Sequence, residues 1–329
     1  MPRMTYRTKR LPSAGLLGAL ICLPLLAPLA HAQTGAELLI RPFAEKENFE
    51  LNGSATFQGT GEDDTGGDFQ LNVYEVSGRV REVREKTIPR FGYDLVYLNI
   101  DSDLDLLPER LSDQSVAVGV ALPDVGGFRG GLTVGVGYAG DGPFGDANAW
   151  YGKGTIAMGK QIDKGTDLGL FLDYDGNRSF LPDVPLPGFA YRKRIDEKLI
   201  LVAGLPLSTV EWTPDSRWKF ELFFTLIDSF DARVTYKVTE EFNVFASLDS
   251  RRYAFHMDEL EDANDRLLFQ ERRAELGVQW EPRKDTRLIL AGGYAFDQEF
   301  GTGWDYRDDE EITELSDEPY VRAGLEMRF

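Results

Sequence analysis

The sequence has few of the side chains that disulfides, metal sites and nucleophilic catalysis use. Its 329 residues include one cysteine, Cys22, and two histidines, His31 and His256. Cys22 and His31 lie in an N-terminal segment that we expect to be removed, as argued next. The mature chain then has no thiol for a disulfide or a thiolate metal site, and one histidine argues against zinc. We therefore expect no cofactor.

Long apolar runs are also missing, apart from one near the start. Residues 1–32 combine a basic beginning, an apolar stretch over 14–30 and an Ala-His-Ala cleavage motif, the pattern of a cleaved export signal peptide. We expect residues 33–47 to form a periplasmic N-terminal segment. The rest of the chain has no run of eighteen apolar residues, so the sequence predicts no membrane-spanning helix.

Basic residues are scarce. Without the predicted signal peptide, the chain has 32 Lys and Arg against 55 Asp and Glu, a net charge of −23. Nucleic acid needs cationic partners for its phosphates, so this excess argues against nucleic-acid binding. It fits a surface that faces solvent or divalent cations.

The dominant pattern of the chain is a period of two. In Val321–Phe329, apolar residues alternate with polar ones and glycine, as in a strand with two unlike faces, and the same alternation recurs from residue 49 onward. A C-terminal aromatic suits a strand that ends at a membrane interface. The sequence therefore predicts an all-β fold, a single transmembrane antiparallel up-and-down β-barrel of about 14–16 strands over residues 48–329. An exported soluble sandwich or solenoid is the alternative, but it would not need so many outward aliphatic faces.

The lengths of the connections fit a barrel with both termini in the periplasm. Counted back from Phe329, residues 299–318 and 256–266 are long connections, whereas 281–286 and 239–241 are short. This register places the acidic clusters in external loops and large aromatic residues at periplasmic strand ends. Those aromatic residues are Trp212, Trp218, Phe242, Trp280 and Phe329.

The C-terminal residues Arg322-x-Gly324-x-x-Met327-x-Phe329 resemble the C-terminal β-signal of Gram-negative outer-membrane proteins. The resemblance implies a position in the outer membrane, with its lipid and lipopolysaccharide as surroundings. It also implies insertion by the barrel assembly machinery. It leaves the solute and the oligomeric state open.

Charged residues on the polar strand faces are the candidate site. In a wide barrel they would line water and tune ion selectivity, whereas in a narrow barrel they would pair and fill the lumen. The predicted lumen-lining set is Lys219, Glu221, Arg233, Lys237, Arg251, Glu271, Arg273, Glu275, Arg287, Arg322, Glu326 and Arg328. A barrel near sixteen strands favours a passive, non-enzymatic pore for small solutes or ions.

Two alternatives stay open. A closed structural or surface-interaction barrel could bind divalent cations and lipopolysaccharide through its acidic loops. Asp101, Asp103 and Asp105 have the spacing that opens a calcium loop, but the glycine and glutamate that such a loop needs are missing. An outer-membrane hydrolase could use His256 as a base with Ser250, although nothing else in the sequence completes a triad.

Overall fold

The computed structural model describes residues 48–81, 90–104, 106–142, 144–225, 229–257, 260, 262 and 264–329. The predicted signal peptide (1–32) and N-terminal segment (33–47) lie outside the described residues. Within the described ranges, no helix has the length and apolar character needed to cross a membrane.

The described residues form β-strands joined by turns and loops. The strands are β1 Phe49–Glu62, β2 Asp68–Val80, β3 Arg90–Ser102, β4 Arg110–Val125, β5 Phe128–Gly140, β6 Trp150–Asp163, β7 Thr166–Asp175, β8 Leu186–Arg194, β9 Leu199–Leu205, β10 Leu207–Trp212, β11 Trp218–Thr225, β12 Phe230–Lys237, β13 Phe242–Phe255, β14 Arg266–Arg283, β15 Thr286–Gly303, β16 Glu310–Leu315 and β17 Glu318–Arg328.

The strands close into one antiparallel barrel. Strands adjacent in sequence pair with each other around the sheet, and β17 pairs with β1 from Glu50↔Arg328 to Gln58↔Tyr320. Strands β16 and β17 pair with different parts of β15 and so occupy one strand position in the barrel, with an interruption between them. We call each such strand position a stave. The barrel therefore has sixteen staves. This confirms the predicted fold class and the upper value of the predicted strand number.

The outer surface carries an apolar belt. We call the end that holds Phe49 and Phe329 the terminal end, and the opposite end the loop end. All five aromatic residues predicted at periplasmic strand ends lie at the terminal end and are 40–47% exposed. Pairs of these and neighbouring rings stack, as in Phe242–Trp280 with centroids 6.0 Å apart. An apolar belt with such an aromatic girdle is the outer surface of a membrane barrel.

The longer strands invert their polarity part-way along. In β3, Phe91 is exposed on the outer face near the terminal end, whereas Asn99 and Asp101 are exposed on the same face near the loop end. The inner face changes in the opposite sense, because Leu98 and Ile100 are buried there. The terminal half of these strands is thus built for lipid outside, and the loop half for water outside and an apolar interior.

This inversion corrects the predicted loop boundaries. Residues 299–318 are predicted as one long connection, but β15 continues to Gly303 and β16 starts at Glu310, so the connection is 304–309. The apolar residues Phe300 and Leu315 face the interior here. The prediction was wrong because it took the end of the outward apolar pattern as the end of the strand.

At the loop end, a smaller barrel rises from the larger one. Strands β8–β12 have six to nine residues and stop near the end of the apolar belt, while β13–β16 and β1–β5 continue. The end of β13 crosses to β5: His256 and Gly140 form a parallel bridge, and the His256 N–H donates to the Ala139 carbonyl at 3.0 Å. Nine staves thereby close on themselves. We call this part the upper barrel and the sixteen-stave part the lower barrel.

Side chains fill the upper barrel, as expected for a barrel of about eight or nine strands. Its core includes Phe255, Phe269 and Phe300, each 0% exposed, and the last two rings stack with centroids 4.5 Å apart. The other buried members are Phe69, Leu71, Val73, Val96, Leu98, Ile100, Leu107, Leu111, Ala139, Tyr151, Tyr253, Met257, Leu267 and Leu315. The described side chains thus block the lumen at this level.

Candidate functional site: the lumen of the lower barrel

The inner wall of the lower barrel has two unlike sides. One side, on β4–β9, is lined mainly by small residues such as Ala117, Ala157 and Ala190, which are 2–4% exposed, and it also carries the buried ion pair Arg192–Asp167 at 3.1 Å. The opposite side, on β11–β17, presents charged residues.

The charged residues form rows across neighbouring strands. In one row, Asp231 on β12 pairs with Asp249 on β13, which pairs with Arg273 on β14. Side chains directly opposite in antiparallel strands are close enough to interact, so each row acts as a unit. Together with residues from β2 and β17 they make a layer that we call the charged band. Its members are Glu75, Asp231, Arg233, Asp249, Arg251, Glu271, Arg273, Glu275 and Arg322.

Ion pairs hold the charged band together. Arg322 binds Glu275 through two parallel hydrogen bonds, from Nε and Nη2, each 2.6 Å long. Arg251 donates to Asp249 at 2.7 Å and reaches across to Glu75 at 2.8 Å. The side chains of Arg322, Glu275, Arg251 and Asp249 are each less than a tenth exposed. Arg251 therefore links β13 to β2 through the interior.

Burying so many charges is costly. Desolvation of two ions often cancels the gain from their attraction, and apolar residues of similar volume are frequently as stable or more so. The upper barrel shows that this chain can fill a lumen with apolar residues. Ionisable groups inside a membrane-spanning region commonly mark a pathway for ions or solutes. Stability alone does not explain why the charged band contains so many buried ions, and this makes it the candidate functional part of the lumen.

A polar cavity lies between the charged band and the terminal end. Its volume is about 420 Å³, and residues of β1–β3, β11–β15 and β17 line it. Four of the carboxylates that face it form ion pairs with cationic side chains. The four pairs are Glu50–Arg79 at 2.7 Å, Glu75–Arg251 at 2.8 Å, Glu221–Lys219 at 2.6 Å and Glu326–Arg287 at 2.9 Å.

The structure divides the predicted lumen-lining residues into two groups. Eight line the cavity: Lys219, Glu221, Arg233, Lys237, Arg287, Arg322, Glu326 and Arg328. The other four, Arg251, Glu271, Arg273 and Glu275, are buried in the charged band. Sequence reasoning missed Glu75, Asp231 and Asp249, although each occupies a polar position within an alternating strand.

A strap reaches across the loop end to β4, β13 and β14. It is the β7–β8 connection, residues 176–185. The Asn177 side-chain amide donates to Asp113 on β4 at 3.1 Å and to the Ala254 carbonyl on β13 at 2.9 Å. Arg266 on β14 donates to the Asn177 Oδ1 atom at 3.2 Å. Asn177 thus ties β4, β13 and β14 together in the closed arrangement.

The strap also carries backbone strain and a second attachment. Leu181 and Asp183 have φ angles of 49° and 59°, in the left-handed region that disfavours residues other than glycine. The Leu181 N–H donates to Asp305 at 2.8 Å. Burial acts to raise the pKa of Asp305, but the hydrogen bonds from the Arg307 side chain and from the Leu181 N–H outweigh it and lower that pKa. Strained residues persist only where surrounding contacts hold them, and the strap has such contacts on both sides.

Two of the three predicted calcium-loop residues lie among the described residues. Asp101 lies at the end of β3, and the Asp103 carboxylate accepts a hydrogen bond from the Asp68 N–H at 3.3 Å. Asp105 lies outside the described residues. Among the residues that the structure describes, no group of three or more His, Cys, Asp or Glu side chains is arranged to hold a metal ion.

His256 lies at the closure of the upper barrel. Burial, followed by the positive charge of Arg266, lowers the pKa of His256, so its imidazole is neutral at neutral pH. Ser250 is six residues earlier in the same chain segment, about 20 Å away along an extended strand. The two side chains therefore do not form the hydrolase pair that the sequence raised as an alternative.

The residues that resemble a β-signal lie on the closing stave. Arg322 faces the charged band, while Met327 pairs with Leu51 of β1. Phe329 packs against Phe49 with ring centroids 6.0 Å apart, and its N–H donates to the Phe49 carbonyl at 2.9 Å. Gly324 fits close to Ile289, because a Cβ atom there would lie 3.3 Å from the Ile289 Cβ.

Comparisons with known proteins give one family match and several distant structural matches. A family model described as a domain of unknown function (DUF6268) matches residues 201–328, less than half of the chain. No curated protein matches the sequence. Solved structures match over most of the chain. The toluene transporter TodX of Pseudomonas putida has a TM-score of 0.40 and 10% identity, over 90% of this chain and 92% of that one.

Two further solved structures also match over most of the chain. The COG4313 outer membrane channel of Pseudomonas putida F1 has a TM-score of 0.37 and 10% identity, over 92% of this chain and all of the other. The NanC porin has a TM-score of 0.29 and 12% identity, over 85% of this chain and all of the other. Similarities of this size assign neither a family nor a solute to the chain.

Proposed function

We propose that the protein is an outer-membrane channel for small polar solutes, seen here in a closed conformation. The terminal end lies in the periplasm and the upper barrel projects from the cell surface. The observation that carries the proposal is the polar cavity of about 420 Å³ beneath the charged band, inside a barrel whose outer surface suits lipid. Fixed charges at a constriction select among solutes.

The closed state is held at the loop end. The upper barrel is filled with apolar side chains, and Asn177 joins β4, β13 and β14 beside it. A solute that crosses the barrel therefore needs the strap to move away from β13. We infer that the lumen opens between the strap and the short strands β8–β12, because these strands extend least far toward the loop end.

Single-channel recording tests this mechanism. The refolded full chain should show rare openings in planar bilayers. Asn177→Ala should raise the open probability about tenfold, because the loss of buried hydrogen bonds costs on the order of 1–3 kcal/mol. Asn264→Ala, in another loop with a local hydrogen bond to Asp262, should behave as wild type. If neither the wild type nor Asn177→Ala conducts or admits small solutes into liposomes, the channel proposal is wrong.

The filled upper barrel favours a second candidate, a closed structural barrel that meets divalent cations and lipopolysaccharide through its acidic surface. Such a barrel would not conduct with or without Asn177, so the same recording decides between the two. For either candidate we propose insertion by the barrel assembly machinery through the segment from Arg322 to Phe329.

A further inference from the structure

The charges that line the cavity are not evenly compensated. Each of the carboxylates Glu50, Glu75, Glu221 and Glu326 forms an ion pair, and Asp94 also has a polar or electrostatic partner. Among the described residues, the Arg233 guanidinium forms no ion pair at contact distance, although Glu275 is near enough to interact with its charge and Glu221 lies opposite it on β11. The cavity thus offers a cation that forms no contact ion pair, which we call unpaired in this sense.

Arg233 is held in a fixed orientation. Its guanidinium lies over the Phe245 ring, with the central carbon 4.9 Å from the ring centroid. The Phe245 ring in turn occupies the space that Gly277 leaves, since a Cβ atom at Gly277 would lie 2.5 Å from the ring. Stacking of this kind holds the guanidinium plane and leaves its edge free to donate hydrogen bonds.

Unused donors accompany this cation. The Arg233 Nε atom is buried without a hydrogen-bond partner, and so is the hydroxyl of Ser247, the residue directly opposite on β13. Buried polar groups in proteins are nearly always hydrogen-bonded. Arg233 lines the cavity and Ser247 lies beside it, so these two neighbouring unsatisfied donors call for an acceptor. Arg217, at the terminal side of the same cavity, donates to the Tyr236 hydroxyl at 3.0 Å and adds positive charge.

We propose that this corner of the cavity binds the oxyanion group of a small solute, a carboxylate or a phosphate. Arg233 would donate from the edge of its guanidinium and Ser247 from its hydroxyl, while Phe245 keeps the guanidinium in place. Planar guanidinium groups suit such ligands because they bind two oxygens at once. The inference rests on the proposed function, since it names the solute class that the channel would take.

Binding to the refolded full chain in detergent micelles provides the test. Isothermal titration with inorganic phosphate and, separately, with acetate at constant ionic strength should show one site for at least one of the two anions. Arg233→Gln should weaken that binding tenfold or more. Arg233→Lys should bind with intermediate affinity, because it keeps the charge and loses the fork, and Ser247→Ala should lose a few-fold.

The matched control is Arg272→Gln. It removes the same charge from a side chain that pairs with Asp297 at 2.6 Å away from the cavity, so it should bind the anion as wild type does. Heat-modifiable migration on a gel shows that each variant is folded. The proposal fails if neither anion binds the wild type, or if Arg233→Gln and Arg272→Gln bind it equally.

The outcome is separate from that of the channel proposal. Micelle binding does not need conduction, so anion binding by a protein that never conducts would refute only the channel. Conduction without phosphate or acetate binding would refute only the oxyanion site.

Discussion

At the scale of single residues, the bidentate Arg322–Glu275 pair is the contact whose loss should lower the free energy of unfolding most. Both side chains are buried, and each is the other's main partner. Loss of one partner leaves the other charge buried and uncompensated. We expect Glu275→Gln to lower the free energy of unfolding by roughly 3–5 kcal/mol.

Glu281 provides the comparison. Its pair with Arg287 spans 2.8 Å, but the two side chains are 29% and 33% exposed. Glu281→Gln should therefore cost about 1 kcal/mol or less. Urea unfolding in micelles measures both values. Equal losses for the two variants would show that burial does not set the strength of these pairs.

A carboxyl group in the β15–β16 connection makes the upper barrel sensitive to pH. Burial and the negative charge of Glu299 raise the pKa of Asp309 from its ordinary 3.8 to about 6. The folded state therefore holds this proton more tightly than the unfolded state does. Its contribution to stability is present at acidic pH and is lost as the pH rises through about 6.

The melting temperature should accordingly rise when the pH falls from 7 to 5. Asp309→Asn should be more stable than wild type at pH 7 and should lack this part of the pH dependence. Thermal melts followed by circular dichroism would show both effects. A variant with the wild-type pH profile would contradict the assignment to Asp309.

At the scale of elements, β14 packs closely against its neighbouring strands at Gly277, which has no side chain. A Cβ atom at Gly277 would lie 2.5 Å from the Phe245 ring and 2.8 Å from the Ala291 Cβ. Gly277→Ala should therefore destabilise the barrel by about 1–3 kcal/mol, the usual cost of overpacking. Gly292→Ala on β15 is the control, because its nearest contact would be an ordinary 3.8 Å. Unfolding in urea compares the two.

The strap is the element whose release should be visible directly. Asn177→Ala removes its ties to Asp113 and Ala254, and the next residue, Arg178, is a trypsin site. Limited trypsin digestion should cut this variant within 176–185 faster than wild type or Asn264→Ala. Equal rates would mean that Asn177 does not hold the strap.

The individual strands could be predicted from the sequence where one face meets lipid. Residues 188–194, 198–205 and 207–213 read as short apolar pieces and are close to β8, β9 and β10. The alternation is a local signal, and exposure of one face to lipid makes it strong. The polar face of the same strands also pointed to charged residues inside the barrel.

What could not be predicted depends on contacts between distant strands. The bridge between Gly140 and His256 joins staves on opposite sides of the barrel, and no local pattern marks it. The strap depends on Asn177, an ordinary loop residue in the sequence. The unpaired state of Arg233 likewise follows from where its neighbours find their partners.

At the scale of the whole molecule, one continuous sheet encloses three different kinds of interior. A polar cavity lies at the terminal end, buried ion pairs in the middle and an apolar core at the loop end. Heat-modifiable migration on a gel should accompany the folded barrel, and reconstitution into lipid should be needed for conduction through it.

The polarity inversion along β3 sets which mutations the protein tolerates. Leu95 and Asn99 are four residues apart on the same outer face, yet one lies in the apolar belt and the other beyond it. A lysine in place of Leu95 would meet hydrocarbon, at a cost of about 2–4 kcal/mol near the bilayer midplane. A lysine at Asn99 would meet water. Along each long strand, the substitutions that the outer face tolerates should therefore change from those of a membrane protein to those of a soluble protein. The change should occur over a stretch as short as that between Leu95 and Asn99.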